Sequence, residues 1–446
     1  MQTYGFDYVF ALTIDKVNAI LAANLAGVRM ELDYATKDPD TGSDIVLNAV
    51  LSPWSIVPGG GNTLINMNIP ISAGSLKLSG GAIKGDYDLA GVTVEVQISL
   101  GWLGAGDQQD LSGSGDRTRL VFAPTDASNK DTSGYVAVVQ ILDPQHKLDT
   151  MATGLLRAYT ASALIAGRDQ LKYIFADVDP ASSAVGDWLQ PKKWLYYYVE
   201  LPDGRQALCF LSMLSDAAFP TQSAFDATAL PRGQNAVILI SQQQFFANVV
   251  LPGIQSAFPG AQFSLSSAND RCTIRNVGAV DLGKVSASSL TVTASDQGDG
   301  LGIAANGGGP LKFLFGLADL PNASYSWDLS TQNPLVFNNP TVSFQADPNP
   351  KTNHSEDVPW YDWALLATVG IVGLPGLIST IMDLVNGFSD QANAVGMDKI
   401  NAEVARGLDG SVLNLATLVQ WQKQDQSFSA TGAGLAGAFY VNGNLG

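Results

Sequence analysis

The sequence predicts a mainly β protein of the α+β class, in which strongly curved antiparallel sheets wrap a few long helices and the chain forms two related halves. Three observations support this class. Most of the 446 residues fall into segments of about 5 to 10 residues separated by Gly, Asn, Asp and Pro, which is typical of antiparallel proteins. Two helix starts share one pattern at a fixed offset. Hydrophobic residues make up 46% of the chain and charged residues only 15%, which predicts a large apolar interior.

The clearest strand segments are rich in β-branched and aromatic residues and have turn residues at their ends. They span residues 28–36, 45–51, 92–102, 118–122, 135–142, 194–201, 207–213 and 290–294. The stretch VTVEVQI places Val92, Val94, Val96 and Ile98 on one face of its strand, because side chains alternate along a strand. This alternation predicts a sheet with one buried face.

The first helix is predicted from the segment VFALTIDKVNAIL, residues 9–21. An extended apolar lead-in ends at Thr13, the expected N-cap residue, and Asp15 follows in the first turn. Leu12 is placed to pack onto Val17 as a hydrophobic staple. A strand is therefore predicted to run directly into a helix.

The segment AVILISQQQFFANVVL, residues 236–251, repeats this plan. Ser241 is the expected N-cap residue, and Gln244 would complete a capping box. Ile240 is placed to pack onto Phe245 in the same way. A second strand is therefore predicted to run into a second helix.

The two expected N-cap residues, Thr13 and Ser241, lie 228 positions apart (241 − 13). The same offset carries another helix candidate, residues 151–171, onto residues 379–399, which also have a helical pattern. A set of strands bracketed by two helices is therefore predicted to occur twice.

This repeat predicts two duplicated domains, residues 1–232 and residues 233–446, joined near Pro231. An alternative stays open. N-cap residues are common, and an all-β protein can contain a few unrelated helices.

The first helix has a broad apolar stripe that has to pack on the apolar face of a sheet. The stripe consists of Ile14, Val17, Ile20, Leu21 and Leu25. A curved antiparallel sheet around such a helix encloses either a filled core or a tube. The composition is compatible with both.

The charge and the scarcity of catalytic residue types exclude several functions. A formal net charge of −17 disfavours binding to a nucleic-acid backbone. His146 and His354 are both expected in loops, and no GxSxG motif is present for them to serve. Cys209 and Cys272 give neither a disulfide framework nor a zinc-ligand spacing, and we expect two buried thiols. A non-enzymatic protein without metal or other cofactor is predicted.

Acidic and glycine clusters are predicted to be turns. The segment DPDTGSD from Asp38 is similar to a calcium loop, but Ala49 occupies the twelfth position, where a calcium loop needs a bidentate glutamate. We expect a polar hairpin turn there. The glycines at 59–61 and at 307–309 are not followed by the Lys-Ser or Lys-Thr pair of a phosphate loop, and a turn is expected at both places.

Residues 363–382 carry no charge, and an uncharged stretch of this length is long enough to span a bilayer. Glycine and proline interrupt it and both flanks are acidic, so residues 360–385 are predicted to form a buried or conditionally membrane-seeking hairpin rather than a permanent span. A packed corner under the second domain's sheet is the alternative for its leading aromatic residues. The membrane-contact candidates are Trp360, Tyr361, Trp363, Leu365, Leu366, Ile371 and Val372.

Four segments of the chain are similar to one known family. They are TYGFDYVFALTIDKVNAIL from residue 3, SPWSIVPGGGNTLINMNIPI from residue 52, QPKKWLYYYVEL from residue 190 and ISQQQFFANVVLPGIQSAF from residue 240. They resemble the clostridial forty-seven-kilodalton proteins that accompany some botulinum neurotoxin gene clusters. At motif level the resemblance runs to about residue 260. The apolar stretch after Trp363 and the closing GAGLAGAFYVNG look similar too.

Relatives of this family belong to the TULIP (tubular lipid-binding) superfamily. The resemblance therefore implies a curved antiparallel sheet that wraps a long helix around an apolar tunnel, and it supplies no catalytic residues. It also implies candidates for the tunnel lining, each with burial in a filled core as the alternative. These candidates are Val17, Ile20, Leu21, Leu25, Phe245, Phe246 and Val249.

The predicted function is non-enzymatic binding of lipid or another apolar ligand, in association with a bacterial toxin system of the insecticidal or neurotoxin-cluster kind. The expected partners are an apolar ligand, proteins of the same gene cluster and a transiently contacted membrane, but no nucleic acid. One alternative is a toxin-complex assembly protein with filled cores. Another is an accessory protein that inserts conditionally into membranes through residues 360–385.

The first residues also carry an expectation about localisation. The stretch MQTYGFDYVFALTIDKV has no basic region and no small-residue cleavage site, and Asp7 interrupts its apolar part. We expect synthesis in the bacterial cytoplasm without a signal peptide, followed by release or secretion by a non-classical route.

Overall fold

The chain is mostly β, and neighbouring strands such as β1 and β15, β3 and β5, and β21 and β22 pair antiparallel, so the predicted fold class is confirmed. The computed structural model describes residues 1–26, 28, 30–104, 109–110, 112–114, 118–171, 173–178, 187–268, 271–282, 286–296, 299–312, 319–338, 341–357, 398–408, 419–420 and 427–446.

Strands are numbered in chain order. They are β1 Tyr8–Thr13, β2 Met30–Lys37, β3 Asp44–Leu51, β4 Ser55–Gly61, β5 Leu64–Ser79, β6 Gly85–Asp88, β7 Thr93–Ser99, β8 Gly101–Leu103, β9 Gln109–Asp110, β10 Ser112–Ser114, β11 Thr118–Phe122, β12 Val136–Leu142, β13 Tyr173–Val178, β14 Lys193–Glu200, β15 Gln206–Met213, β16 Ala236–Ile240, β17 Gln262–Ala268, β18 Arg271–Val277, β19 Val280–Asp281, β20 Ser286–Ala294, β21 Gly300–Lys312, β22 Asp319–Asn338, β23 Thr341–Phe344, β24 Lys351–Asp357, β25 Val419–Gln420, β26 Phe428–Ala436 and β27 Ala438–Leu445.

The helices are numbered in the same way. They are α1 Ile14–Leu25, α2 Thr150–Ala166, α3 Arg168–Leu171, α4 Gln242–Phe245, α5 Leu251–Ala257 and α6 Asp398–Leu408, with a π-helical segment Phe246–Val250 and short 3-10 helices Asp187–Leu189 and Ala227–Ala229.

The chain folds into two compact units. The amino-terminal unit consists of Thr3–Leu239, Leu413–Ser429 and Asn442–Gly446. The carboxy-terminal unit consists of Met1–Gln2, Ile240–Val412 and Ala430–Val441. The chain therefore passes from one unit to the other several times. The predicted duplication of residues 1–232 as residues 233–446 stays a prediction.

The described part of the amino-terminal unit contains three sheets. In the first, which we call the wrapping sheet, the strand order is β12, β7, β5, β3 and β2, with β4 and β6 also paired to β5. A second sheet has the order β10, β14, β15, β1 and β16 within this unit, and a third has the order β25, β13, β11, β8 and β9.

The predicted strands are all present, although β2 starts only at Met30 and β20 already at Ser286. The predicted segment 92–102 forms two strands, β7 and β8. Val94, Val96 and Ile98 are buried on the predicted face of β7, but the opposite face is covered too, because Glu95 is 8% and Ser99 is 0% exposed. Local alternation was therefore a sound guide to the position of these strands, but not to the exposure of the second face of β7.

The two predicted helix starts are present at the predicted offset, because α1 begins at Ile14 and α4 at Gln242, 228 positions later. The caps differ. The Ser241 hydroxyl accepts a hydrogen bond from the Gln244 N–H at 3.3 Å, whereas Thr13 occupies the N-cap position of α1 without a side-chain hydrogen bond to the helix. Only one of the two predicted side-chain caps is therefore formed.

The second predicted helix pair is described in one half only. Helices α2 and α3 cover the predicted segment 151–171 with a break at Gly167. Residues 379–397 of the predicted counterpart lie outside the described residues, which resume at Asp398 in α6.

In the carboxy-terminal unit, one sheet has the strand order β17, β18, β20, β21, β22 and β23, with β19 paired to β20 and β24 paired to β22. Helix α4, the π-helical segment and α5 follow one another without interruption. The π-helical segment has a local cause. Pro252 has no N–H to donate to the carbonyl four residues earlier, and the Leu251 N–H bonds to the Phe246 carbonyl five residues back.

Three sequence-based predictions about loops are wrong. Glycines 59–61 lie in β4 rather than in a turn. His354 lies in β24, paired with Trp327, rather than in a loop. Glycines 307–309 lie in β21 rather than in a turn. A Cβ at Gly307 would lie 2.3 Å from the Ser286 carbonyl oxygen and 2.7 Å from Trp327 Nε1, so a glycine there lets the strands pack against a buried indole. His146 does lie in the predicted loop, between β12 and α2.

Helices in the described ranges are too short or too polar to cross a bilayer. The predicted hairpin at 360–385 and all seven membrane-contact candidates lie outside the residues that the structure describes. The membrane-contact prediction therefore stays a prediction.

Candidate functional site

Helix α2 presents one apolar side along its whole length. Its buried residues are Ala152, Leu156, Thr160, Ala163 and Leu164. These positions recur at intervals of three and four, which places them on one face of a helix. The helix is therefore built to cover an apolar surface.

That surface is the inner face of the wrapping sheet. Helix α2 contacts both β12 and β2, which are the two ends of the strand order. Five flat strands would span about 19 Å from first to last, whereas a helix with its side chains is about 10–12 Å wide. One helix touches both ends because the sheet curls around it. A curved sheet is predicted from the sequence, but around the first helix, whereas the helix at this sheet is α2.

A small apolar cavity remains between α2 and the wrapping sheet. The volume within which the centre of a water molecule can lie is about 10 Å³. The lining residues from the helix are Leu156, Thr160 and Leu164, and those from the strands are Leu32, Leu47, Ala49, Leu51, Ile69, Ile71 and Val94. A cavity of this size holds at most about one water molecule, so in this conformation the interior is close to filled.

No polar group in the lining lacks a hydrogen bond that a water molecule would have to supply. Thr160 is the single polar residue of the lining, and its hydroxyl donates to the Leu156 carbonyl at 2.6 Å. An apolar cavity without unsatisfied polar groups stays dry. The chemistry of the site is therefore the binding of apolar groups.

Polar contacts outside the apolar lining fasten α2 over this interior. The Tyr159 hydroxyl donates to Asp38 Oδ2 at 2.7 Å. Asp38 belongs to the turn between β2 and β3, where its Oδ1 accepts the Thr41 N–H at 2.7 Å. The segment considered as a calcium loop is therefore a hairpin turn, as predicted, and it also holds the helix.

The start of α2 has a second set of contacts. Asp149 caps the helix by accepting the Ala152 N–H at 2.7 Å, and it accepts a hydrogen bond from the Tyr87 hydroxyl at 2.9 Å. Just before the helix, Lys147 Nζ lies 2.6 Å from Asp88 Oδ2. We call the Asp38–Tyr159, Asp149–Tyr87 and Asp88–Lys147 pairs the α2 clasps.

The clasps shift the pKa values of their members. The Tyr159 hydroxyl, followed by Thr41, holds the pKa of Asp38 below its ordinary 3.8, and the same bond raises the pKa of Tyr159 to about 12. The Ala152 N–H and then Tyr87 lower the pKa of Asp149. The Lys147 ammonium lowers the pKa of Asp88. All three carboxylates are therefore charged at neutral pH.

The ligand-lining candidates on α1 are buried but belong to another part of the unit. Val17, Ile20, Leu21 and Leu25 are each at most 1% exposed. Helix α1 contacts β1, β4 and β15, and none of these four residues lines the cavity beside α2. Their role as ligand-lining residues stays a prediction.

The candidates of the second half are buried in the carboxy-terminal unit. Phe245 and Phe246 are fully buried, and Val249 is 1% exposed. The Phe245 ring stacks on that of Phe439, with centroids 4.6 Å apart and an interplanar angle of 3°. Lining of a ligand site by these residues also stays a prediction.

Sequence reasoning missed the residues that do line the cavity. The signal was available for Leu156, Thr160 and Leu164, because they follow one another at four-residue steps within a predicted helix. The strand residues could not be assigned, because their place around one cavity depends on the register of strands far apart in the chain. The residues that the structure describes contain no group of three His, Cys, Asp or Glu side chains that could hold a metal ion.

A curved antiparallel sheet closed by an amphipathic helix over an apolar interior defines a class of helix-wrapping β proteins. The family model described as "OrfX-like: Protein OrfX2/OrfX3/P47" matches residues 3–292 of this chain. The chain belongs to this family, and the resemblance to the clostridial forty-seven-kilodalton proteins is confirmed.

Solved structures agree with this assignment. The structure of P47 from Clostridium botulinum A2 matches with a TM-score of 0.71 at 19% identity, covering 100% of this chain and 98% of that one. P47 of Clostridium botulinum E1 matches with a TM-score of 0.68 at 17% identity, covering 99% and 100%. A lipopolysaccharide binding protein reaches a TM-score of 0.32 at 14% identity over 99% of each chain, which does not establish a shared fold. No curated protein sequence matches significantly.

Proposed function

We propose that the protein is a non-enzymatic accessory protein of a bacterial toxin system that binds a lipid or another apolar molecule between α2 and the wrapping sheet. The observation that carries this proposal is the lining of the interior that α2 covers, which is apolar except for Thr160. Membership of the OrfX/P47 family supports the association with a toxin gene cluster.

Binding requires α2 to move. Ligand sites for small molecules are typically about 300–1,000 Å³, far more than the cavity of about 10 Å³ beside α2. The α2 clasps are two tyrosine–carboxylate hydrogen bonds and one ion pair with a largely exposed Asp88, and single polar contacts of this kind contribute modestly to stability. Displacing α2 therefore breaks a few weak polar contacts and uncovers a continuous apolar surface.

A ligand can offset the loss of the contacts made by α2. Burial of a methylene group contributes roughly 0.8 kcal/mol, so an acyl chain of about 14 carbons gains about 11 kcal/mol before the ordering terms. The gain comes from apolar area alone and needs no charged residue in the lining. A fatty acid of this length is therefore a suitable probe.

The test combines native mass spectrometry of the purified protein with binding of added tetradecanoic acid. We expect bound lipid in the wild type and less in Ala49→Leu, because the larger side chain fills the cavity. Leu164→Ala enlarges the cavity and should increase uptake. Ala35→Leu is the matched control, because Ala35 is exposed on the same hairpin and its replacement should leave uptake unchanged.

Two results would contradict the proposal. One is a protein that neither co-purifies with lipid nor takes up the fatty acid. The other is uptake that is equal in Ala49→Leu, Leu164→Ala and Ala35→Leu, because the ligand would then bind away from α2.

An assembly role is the second candidate, and the small size of the cavity favours it. With a filled core, the protein would act through its surface on other proteins of the same gene cluster. Capture of neighbouring gene products by lipid-free protein, equally well by the wild type and by Ala49→Leu, would support this role over lipid binding.

Membrane contact through residues 360–385 and non-classical release from a bacterial cytoplasm are further proposals. Liposome flotation at neutral and acid pH tests the first, because protonation of Asp362 and Asp383 would lower the energy needed for insertion. Absence of flotation at both pH values would contradict it. Detection of the protein outside intact producing cells would test the second.

A further inference from the structure

The inner face of β22, in the carboxy-terminal unit, contains two polar residues in an apolar row. Thr331 and Asn333 lie between Leu329 and Leu335 on the buried side of the strand. They are 1% and 0% exposed. Residues two positions apart on a strand share a face, about 7 Å apart, so the two polar groups are neighbours.

Helix α6 brings a third polar residue to the same place. Asn401 is 5% exposed and lies beside Ile400 and Val404, which are fully buried. Asn333 Nδ2 donates to Asn401 Oδ1 at 2.8 Å. This bond joins the strand to the helix and uses only part of the hydrogen-bonding capacity of each amide.

The remaining polar atoms of these three residues have no partner in the part of the chain that the structure describes. They are Thr331 Oγ1, Asn333 Oδ1 and Asn401 Nδ2. Buried polar atoms in folded proteins are nearly always hydrogen-bonded, because an unpaired one is costly. The hydrogen-bonded pair Asn333–Asn401 and the adjacent Thr331 therefore have spare capacity for a polar group that binds beside them.

The chemistry of that group follows from the three atoms. Asn333 offers an acceptor, Asn401 a donor, and the Thr331 hydroxyl can act as either. In the described part of this unit, Gln242 is the other buried polar residue and Cys272 is a buried thiol, so no buried Asp, Glu, Lys, Arg or His is present to carry a charge. An ionised group would lack a compensating charge there. An uncharged hydroxyl, which both donates and accepts, fits the site.

We propose that Thr331, Asn333 and Asn401 bind the hydroxyl group of an uncharged amphiphile, whose alkyl part packs against neighbouring apolar side chains such as Leu329 and Val404. This site goes beyond the function proposed above, because it belongs to the other unit and does not involve α2.

The test compares three probes on the full chain by titration calorimetry: 1-dodecanol, dodecyl methyl ether and dodecanoate at pH 8. The ether cannot donate a hydrogen bond, and dodecanoate carries a charge. We expect the wild type to bind the alcohol about tenfold or more tightly than either analogue. The double variant Asn333→Leu/Asn401→Leu should lose this preference.

The variants are chosen so that folding does not obscure the result. Leucine has the branched outline of asparagine and the same number of side-chain heavy atoms, and the double replacement removes both partners of one hydrogen bond at once. Thr331→Val is a second variant, which removes only the hydroxyl and should weaken the preference. Asn306→Leu is the control on the exposed face of the same sheet, and it should keep the preference. The alcohol should raise Tm in the wild type but not in the double variant.

Several outcomes would overturn the inference. Equal affinity of the wild type for alcohol and ether would do so, as would a preference that survives in the double variant and in Thr331→Val. A crystal structure grown with dodecanol that shows an ordered water only would also do so. A preference abolished by Ala49→Leu but not by the double variant would place the alcohol at α2, which overturns this site and leaves the proposed function intact. Loss of fatty-acid binding in Ala49→Leu with the alcohol preference kept would support the separate site.

Discussion

Gly253 lies where α5 crosses α6 in the carboxy-terminal unit. A Cβ at this position would lie 2.8 Å from Val404 Cγ2 and 2.9 Å from the Val404 Cα and backbone nitrogen. Because two of these atoms belong to the backbone of α6, a rotamer change cannot make room. The absence of a side chain at Gly253 sets how closely the two helices approach.

Gly253→Ala should therefore destabilise the protein by about 1–3 kcal/mol, the usual effect of overpacking. The measurement is the midpoint of chemical unfolding followed by circular dichroism. Gly154→Ala is the matched control, because Gly154 is also helical and a Cβ there meets no atom within 4 Å. It should stabilise by up to about 1 kcal/mol through helix propensity. Equal unfolding midpoints for the two variants would show that α5 and α6 can separate far enough at the crossing to accommodate a methyl group.

Val17 gives a second prediction at the level of one side chain. It is fully buried on α1, and Val17→Asp would place an unpaired carboxylate in the interior, which costs about 3–5 kcal/mol. Ala22→Asp, at an exposed position of the same helix, should have little effect. Normal unfolding of Val17→Asp together with lost lipid uptake would indicate that this residue faces a ligand tunnel instead.

Single residues also show where sequence reasoning stops. Ser241 could be predicted as a cap because Gln244 lies three positions later, whereas Thr13 shows that a suitable residue in the N-cap position need not form the bond. Gly307 could not be predicted. Its role depends on Trp327, which reaches it through strand pairing across a hairpin.

At the scale of elements, the α2 clasps make the attachment of one helix depend on pH. The pKa values of Asp38, Asp88 and Asp149 are lowered from 3.8 in the folded state. The stability that these three carboxylates contribute to the folded state is therefore complete above pH 3.8. It is lost as the pH falls through their lowered pKa values. The pKa of Tyr159 is raised from 10.0 to about 12. The stability that its hydroxyl contributes is therefore complete below pH 10 and is lost as the pH rises towards 12.

We therefore expect α2 to be held most firmly between about pH 4 and pH 10. Hydrogen-exchange protection factors of residues 150–166, corrected for the intrinsic rate at each pH, should fall between pH 4 and pH 2 more than those of α1. Tyr159→Phe should lose the alkaline part of the effect. Unchanged protection of α2 at pH 2 would show that its apolar side alone holds it.

The elements differ in how far the sequence predicts them. Strands such as β7 were predictable because alternation is a local property. The long strand β5, Leu64–Ser79, was not, because Pro70 and Gly74 resemble turn residues within it. Helix α2 was predictable as a helix, but its position across both ends of the wrapping sheet depends on curvature that no local pattern specifies.

At the scale of the whole chain, its last residues return to the amino-terminal unit. Asn235 anchors them, because its Oδ1 accepts the Leu445 N–H at 2.7 Å and its own N–H lies 3.2 Å from the Gly443 carbonyl oxygen. Strand β16 follows Asn235 directly and lies next to β1 in its sheet. The predicted boundary after residue 232 would separate these neighbours.

A fragment of residues 1–232 should therefore fold poorly by itself. Every residue of β1 is buried, and removal of β16 would leave β1 as an open apolar edge, which favours aggregation. We expect oligomers or precipitate in size-exclusion chromatography with light scattering. Co-expression with residues 233–446 should restore a soluble complex. A monomeric fragment with cooperative unfolding would instead support the predicted domain boundary.

The order of units along the chain also constrains folding during translation. Domains commonly fold as units while the ribosome is still adding residues. Here the amino-terminal unit takes up Leu413–Ser429 and Asn442–Gly446, so its final contacts wait until these residues have left the exit tunnel. The first 239 residues must remain soluble through the synthesis of the 173 residues from Ile240 to Val412 (412 − 240 + 1). Nascent chains of this protein should therefore be unusually dependent on ribosome-associated chaperones.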